Sequence, residues 1–426
     1  MKYAVIIPWG ASDLPSEDLG GRTPLQAARM PRLREIARSG RVGRVVTLPA
    51  GHQPSEAAML MSLLGCDPRR VNAAQGLADA TALGVPLAPG EWAFRLDLVT
   101  ISPGGRESRL IDDSASDLGE AEAHALFAAL LGYWQQREPG LARDLEVYAL
   151  SLGRAVLIDR AGRDFSLVEA MMPTQAINES WRAAMPRGGT DREASMLRRL
   201  VELSADFLES HDVNSARTDQ GLARANLAWI WGGGTPPTPA SFESRFDIRA
   251  AMLARRHTAV GVANLLDIQT LTSDDARDLS QCASTAVAAM DEHDVVIWHI
   301  DLAGHLDAST AEAKVRALEV IDAEAIGPML DHMRTLGSAE ANPEAQGWRM
   351  MIAPGVTTPV SLGRPTVDAA PFAIAGDWVR SVVERDMTEH EAAESDLCVD
   401  PGHELMEYFL HGGLARARPA RGIKHG

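Results

Sequence analysis

Two textures alternate along this chain. Short continuous apolar runs, such as Tyr3 to Ile7, Asn226 to Gly232, Trp348 to Ala353 and Pro371 to Ala375, read as strands buried on both faces. Between them lie stretches whose apolar residues recur every three or four positions, which read as helices with one buried face. Thr23 suits an N-cap and Pro24 the first helical position, and Leu25, Ala28, Leu33, Ile36 and Ala37 share a face until Gly40 stops the helix. A long helix is predicted from about Arg192 to Ser210. Another is capped by Ser309 or Thr310 and buries Val315, Leu318, Ile321, Ala325, Met329 and Met333. From about Gly76 to Pro173 the texture changes. Shorter strands (Phe94 to Ile101, Leu145 to Leu150, Ala155 to Ile158) sit between Gly/Pro turns with one helix from Glu120 to Leu131, which points to a smaller α/β module inside a larger α/β core.

Composition adds bounds. With 426 residues and 46% hydrophobic content the chain can bury a large core, as two domains or one core with an insertion. A net charge of −17 argues against a nucleic-acid partner and leaves any anionic ligand to locally placed arginines. Cys66, Cys282 and Cys398 are too dispersed for a zinc motif or a disulfide framework, which suits a cytoplasmic location. The opening MKYAVIIPWG is too short for a signal sequence, and no segment reaches membrane-spanning length. The last residues, ARARPARGIKHG, form a basic tail expected to be disordered.

The strongest chemical candidate lies in VVIWHIDLAGHLDAS, Val295 to Ser309. A buried strand there ends in Asp301, and His305 follows across an Ala-Gly pair. Carboxylate and imidazole at the carboxyl end of a core strand sit where open α/β sheets place their ligands, and they could bind a metal. Two ligands are few for a metal site, and the pair also reads as a helix cap and a histidine bonded to a backbone carbonyl. Ser55 and Glu56 stand at a predicted helix start, where free N–H groups favour an anion or an activated hydroxyl, although Ser55 also reads as a plain N-cap. The GGGT after the Asn226 strand is a flexible turn.

Taken together, the segments KYAVIIP, LGGRTPLQAARMPRL, GRVG, SLLGCDP, LGVPLAPGEWAFRLDLVT, NLAWIWGGG, DLAGH, EAKVRALEVIDAEAIGPML, PFAIAG and GHELMEYFL resemble, in order and spacing, the archaeal-type cofactor-independent phosphoglycerate mutases of the alkaline phosphatase superfamily. The resemblance implies a doubly wound alkaline-phosphatase-like core over 1–75 and 176–412, an inserted smaller α/β domain over 76–175, and the tail over 413–426. It also implies a two-metal site at the strand ends, where a serine carries the phosphoryl group between ions ~4 Å apart.

Residue by residue, much of that site is missing. The family's Pro-Asp-Gly, with its metal-binding Asp, is Pro8-Trp9-Gly10 here, and indole offers only a donor N–H. The family's Pro-Asp-His is Pro354-Gly355-Val356, and the histidine of its Thr-His-Thr is replaced by Pro365. Either Ser55 or Glu56 holds the nucleophile's place, depending on a one-residue shift in the alignment. Of the family's substrate residues, a Gly-Arg-Gly-Pro has become Ala74-Gln75-Gly76-Leu77 and an Ala-Gly-His has become Ala115-Ser116-Asp117, while Arg95 matches a family arginine. Only Asp301 and His305 remain of the metal ligands, fewer than the three that catalytic ions normally take from a protein.

The expectation is therefore a phosphoglycerate-mutase-like protein that has lost the mutase reaction. It would need no cofactor and would act as a binding or regulatory module for a small anionic metabolite or a protein partner, in an old cleft lined by Trp9, Met59, Arg95 and Gln75. The alternative is a diverged metal-dependent phosphatase or phosphomutase holding one divalent cation (Mn, Zn or Mg) on Asp301, His305 and a third ligand such as Asp368 or His52. A purely structural subunit is the third reading.

Overall fold

The computed structural model describes residues 1–412 apart from 50, 53, 116–117, 152, 190–191, 237–238, 276 and 338–346, and it leaves the side chains of Arg106 and His305 undescribed. The basic tail and the Ser116-Asp117 pair thus lie outside the described residues. The first two strands are β1 (Lys2–Trp9) and β2 (Arg41–Val45). Next come β3 (Trp92–Ile101), β4 (Leu110–Asp112), β5 (Leu145–Ala149), β6 (Arg154–Asp159), β7 (Val168–Glu169), β8 (Arg187–Gly188) and β9 (Leu227–Gly234). The last are β10 (Ala250–Leu253), β11 (Gln269–Leu271), β12 (Val295–Asp301), β13 (Trp348–Ile352), β14 (Ala370–Gly376) and β15 (Cys398–Val399).

The chain forms two compact units, one of Met1–Pro54, Ala58–Val71 and Pro239–Gly426, the other of Ser55–Ala57 and Asn72–Thr238. The larger unit holds an eight-stranded sheet in the order β11-β10-β12-β1-β13-β14-β2-β15. Its left half is parallel, and β14 runs antiparallel to both β13 and β2. From Tyr3 onward β1 is buried throughout, and so is β12 before Asp301, as the continuous apolar runs of strands covered on both faces imply. On one face Ala4, Ile6, Val296, Trp298, Met350 and Ile352 pack against helices Pro31–Ser39, Leu279–Ala289, Ala311–Ile321 and Gly327–Gly337. By the alternation of side chains along a strand, Ile7, Trp9, His299 and Asp301 point to the other face.

Two predicted helices are broken. Thr23 caps as expected, with a full capping box to Gln26, but that helix ends at Ala27 and a second begins at Pro31. Pro31 has no N–H to give and disfavours the helical conformation at Met30, which stands at φ -120, ψ 74, so one periodic face covers two helices. Thr310 caps the helix Ala311–Ile321, which then widens into a π turn at Asp322–Ile326. There the Asp322 carboxylate accepts from the backbone N–H groups of Leu33 at 2.7 Å and Arg32 at 3.0 Å, so the π turn supplies the N-terminal cap of the neighbouring helix.

The second unit is larger than the predicted 76–175. It takes in helix Arg192–Glu209 and β9, because β9 pairs antiparallel with β3, from Ala93↔Gly234 to Val99↔Leu227. An apolar run alone does not say which sheet a strand joins. In this unit β3 is central, bonded to β6, β9 and β4, and all ten of its residues are buried. Trp92, Phe94, Leu96 and Leu98 share a core with helices Glu120–Arg137 and Arg192–Glu209, where the Trp134 Nε1 donates to the Leu200 carbonyl at 2.9 Å. The opposite face of β3 carries Ala93, Arg95 and Asp97 and receives helix Gln75–Ala82. That helix begins very close to the sheet. A Cβ at Gly76 would lie 2.4 Å from the Ala93 carbonyl oxygen, so only glycine fits.

Candidate functional site

Trp9 and Asp301 meet at the strand ends of the larger unit, together with His299. Trp9 is the register partner of Asp301 and Ile7 that of His299, so Trp9, His299 and Asp301 share one face at the carboxyl ends of β1 and β12. The Trp9 indole is 5% exposed and lies 5.6 Å, ring centre to ring centre, from the His299 imidazole. A Cβ at Gly355 would be 3.6 Å from the indole and 3.0 Å from Leu63, so Gly355, with φ +76, leaves the space that the indole edge needs. Trp9 is thus a packed wall at the strand ends. The loop carrying Gly355, Val356 and Pro365 is tied down by a buried network. Lys314 Nζ donates to Asp13 Oδ2 at 2.5 Å and to the Thr358 carbonyl at 2.8 Å, and the hydroxyls of Ser12 and Thr357 are 3.0 Å apart.

Asp301 has a partner that no sequence pattern announced. Arg256 Nη1 donates to Asp301 Oδ2 at 2.6 Å. Burial works to raise the Asp301 pKa, but the charge and hydrogen bond of Arg256, with help from His299, outweigh it and hold the carboxyl below its ordinary value. Burial of His299 pushes its pKa down to about 4 despite Asp301, so the ring is neutral at pH 7. Both ring nitrogens of His299 are buried without a hydrogen-bond partner among the described residues, which costs about 1–3 kcal/mol per orphaned group. The backbone of His305 lies in the short helix Leu302–Leu306, and its side chain is outside the described residues.

In the second unit Gln75 and Arg95 do meet, but around a third residue. Arg95 Nε donates to Asp79 Oδ2 at 2.7 Å, and Arg95 Nη1 is 3.6 Å from Asp97 Oδ1. Gln75 Nε2 donates to both oxygens of Asp79, at 3.2 and 3.1 Å, and its Oε1 accepts from the Ala57 N–H at 3.4 Å. Asp79 is completely buried, Gln75 is 2% exposed and Arg95 7%. The expected substrate residues are therefore internal partners of a buried carboxylate. Asp79 was missed in sequence because it shows only as a polar residue four positions after Gln75, on one helix face. Ser55 is the last residue before helix Glu56–Leu63 and Glu56 its first, and both are buried. Met59, expected to line a cleft, is 0% exposed.

The proposed third metal ligands lie elsewhere. His52 is half-buried and feels Asp67 and Arg69, while Asp368 is exposed and accepts from the Thr366 hydroxyl at 2.8 Å. Among the described residues no group of three or more His, Cys, Asp or Glu could hold a metal ion. The described side chains therefore do not fit the family's two-ion set. Trp9, Gly355, Val356 and Pro365 bring no ligand atom, and Asp301 is already bonded to a guanidinium. On the strand-end side of β10, β11 and β12 a recess of about 230 Å³ is lined by Leu253, Arg255, Leu271, Ser273, Cys282 and Trp298, among others.

Comparison with known proteins decides the family. The family model for 2,3-bisphosphoglycerate-independent phosphoglycerate mutase matches residues 37–214. The curated enzyme of that name from Methanosarcina acetivorans is 31% identical over 387 residues, covering 88% of this chain and 90% of the relative. The chain belongs to the 2,3-bisphosphoglycerate-independent phosphoglycerate mutase family. A second member, from Methanothrix thermoacetophila, is 29% identical over 97% of this chain and its own full length. Two solved structures share the fold of this family member. One is a Pyrococcus horikoshii protein with TM-score 0.69 and 23% identity, covering 99% of both chains; the other is the cofactor-independent phosphoglycerate mutase of Thermoplasma acidophilum, with TM-score 0.56 and 21% identity, covering 97% of this chain and 100% of that one. No helix among the described residues is long and apolar enough to cross a membrane.

Proposed function

We propose that this member of the family keeps the phosphoglycerate-mutase scaffold without the mutase reaction and serves in the cytoplasm as a binding or regulatory protein for a small anionic metabolite or a protein partner. The observation that supports this most is the engagement of Arg95. Its guanidinium lies 2.7 Å from one buried carboxylate and 3.6 Å from another, so its charge is already compensated. A phosphorylated, triply anionic substrate would have to compete with Asp79 and Asp97 in a site of low polarity, where two carboxylates repel it. Trp9 in place of a metal-binding Asp weakens the reaction from the other side, because phosphoryl transfer through a serine needs cations to balance charge on the transferring oxygens. For a small anion the recess near Arg255 offers one cation, hydroxyls and apolar walls. This reading needs no divalent cation.

The deciding experiment is interconversion of 3-phosphoglycerate and 2-phosphoglycerate by the purified chain with Mn, Zn or Mg supplied. A rate indistinguishable from the protein-free control supports the proposal. Turnover above about 1 s⁻¹, the ordinary enzyme range, overturns it. So does a metal-stimulated phosphatase activity that disappears in Asp301→Ala and His305→Ala, since that is the behaviour of a diverged hydrolase.

A further inference from the structure

We infer that Arg256 is the resident cation of the strand-end site: its guanidinium takes the place of a divalent ion at Asp301, so the folded protein neither needs nor takes up a metal there. This deepens the proposed loss of mutase chemistry and rests on that reading, since it takes Asp301 as the surviving family ligand.

The side chain of Asp301 is 12% exposed, at the end of a strand whose preceding residues are all buried. A carboxylate so placed must be compensated, because a charge removed from water without a partner is costly. A family member would do this with an ion. Here the compensating charge comes from the neighbouring strand. β10 runs parallel to β12, paired from Ala250↔Val295 to Leu253↔Trp298, and stops there while β12 continues to Asp301. Arg256 lies three residues past the end of β10, in extended conformation at the N-cap of helix His257–Leu265. The loop thus delivers a side chain into the crevice beyond the carboxyl ends of the strands, where this class of sheet collects its ligands.

Arginine is suited to the task. It keeps its proton at any working pH, whereas a buried lysine gives it up readily. Its Nη1 meets Asp301 Oδ2 at 2.6 Å, within the range of a charge-assisted hydrogen bond. A divalent ion on the same carboxylate would stand within a few ångströms of the guanidinium and be repelled by it. Opposite Asp301 in register, Trp9 brings an indole that supplies no ligand and keeps water away, which strengthens the ion pair it adjoins. His299, whose imidazole lies against that indole, completes a carboxylate environment built for a fixed organic cation.

The test is metal binding and thermal stability, independent of any turnover. Chelator-stripped wild type, titrated calorimetrically with Mn²⁺ and with Zn²⁺, is expected to show no saturable uptake abolished by Asp301→Ala, and EDTA is expected to leave its melting temperature unchanged. Arg256→Ala should melt lower and regain stability when Mn²⁺ or Zn²⁺ is added, with saturable uptake that wild type lacks and that is lost again in the Arg256→Ala/Asp301→Ala double variant. Arg256→Lys should stay metal-indifferent. If Arg256→Ala does not fold, Arg256→Gln carries the same comparison. Wild-type uptake of one ion that Asp301→Ala removes overturns the inference, as does an Arg256 variant that neither ion stabilises. Wild type that binds an ion yet shows no mutase turnover defeats this inference and leaves the lost reaction standing. Turnover without bound metal does the reverse.

Discussion

Asp301 in the larger unit and Asp97 in the smaller one are both buried carboxylates facing an arginine, yet their acidities move in opposite directions. At Asp301 burial is outweighed by Arg256, and the carboxyl is held below its ordinary value. At Asp97 burial wins over Arg95, Arg154 and the 2.6 Å hydrogen bond from the Trp231 indole, and the carboxyl is raised. The difference lies in how each guanidinium is shared. Arg256 gives a 2.6 Å bond to Asp301, whereas Arg95 spends its short bond on Asp79 and stands 3.6 Å from Asp97 Oδ1, which has no hydrogen-bond partner among the described residues. A guanidinium whose short bond goes to Asp79 compensates Asp97 less than burial penalises it, even with Arg154 acting in the same direction. Arg95, which matches a family arginine, is engaged with Asp79 inside the fold, while Arg256, which no motif marks, meets the carboxylate at the strand ends.

The largest expected effect breaks the pair in the smaller unit. Asp79→Ala removes the 2.7 Å partner of buried Arg95 and both carboxylate oxygens to which Gln75 Nε2 donates. A loss of about 3–5 kcal/mol in urea unfolding is expected. A loss under about 1 kcal/mol would mean that Asp97 fully replaces Asp79 and that the arginine is not committed. Next is Trp9→Ala in the larger unit, where removing a 5% exposed indole should cost about 3 kcal/mol, read from the same titration. Arg256→Ala, measured with EDTA present, should cost less, about 1–3 kcal/mol, because Asp301 and Arg256 keep some access to water. An equal or larger cost than that of Asp79→Ala would contradict the ranking by burial.

The smallest effect concerns pH. The folded-state pKa of Asp97 is raised above its unfolded value, so its contribution to stability is present below about pH 4 and fades as pH rises through the raised value. Wild type should therefore lose stability relative to Asp97→Asn as pH rises through the raised value, and the variant should be the more stable of the two above it. Its amide oxygen can still accept from Trp231. Identical pH profiles for the two proteins would show that Asp97 is charged and adequately paired in the fold.

Much of this architecture was readable in the linear pattern. β1, β9, β12, β13 and β14 stand within a residue or two of their apolar runs, because a strand buried on both faces leaves a continuous signature. Thr310 was one of two candidate caps for its helix, and the cap at Thr23 was equally plain. The break at Pro31 and the π turn at Asp322 were not, since each depends on what lies across the interface and helical spacing continues through both. The site was half legible. The absence of ligand atoms at Trp9, Gly355, Val356 and Pro365 is a property of residue type and needs no coordinates. The commitments of Arg95 to Asp79 and of Asp301 to Arg256 join residues 16 and 45 positions apart, on a strand face and a loop with no shared periodicity.

The sequence by itself determined the family, the α/β class, the longer apolar strands and the residue types at Trp9, Gly355, Val356 and Pro365, because local propensity, burial pattern and residue chemistry are carried by each segment alone. Tertiary structure decided which sheet β9 joins, which charges meet, and the direction in which each buried carboxylate titrates. Those depend on distance and on removal from water, and neither exists until segments far apart in the chain are packed together.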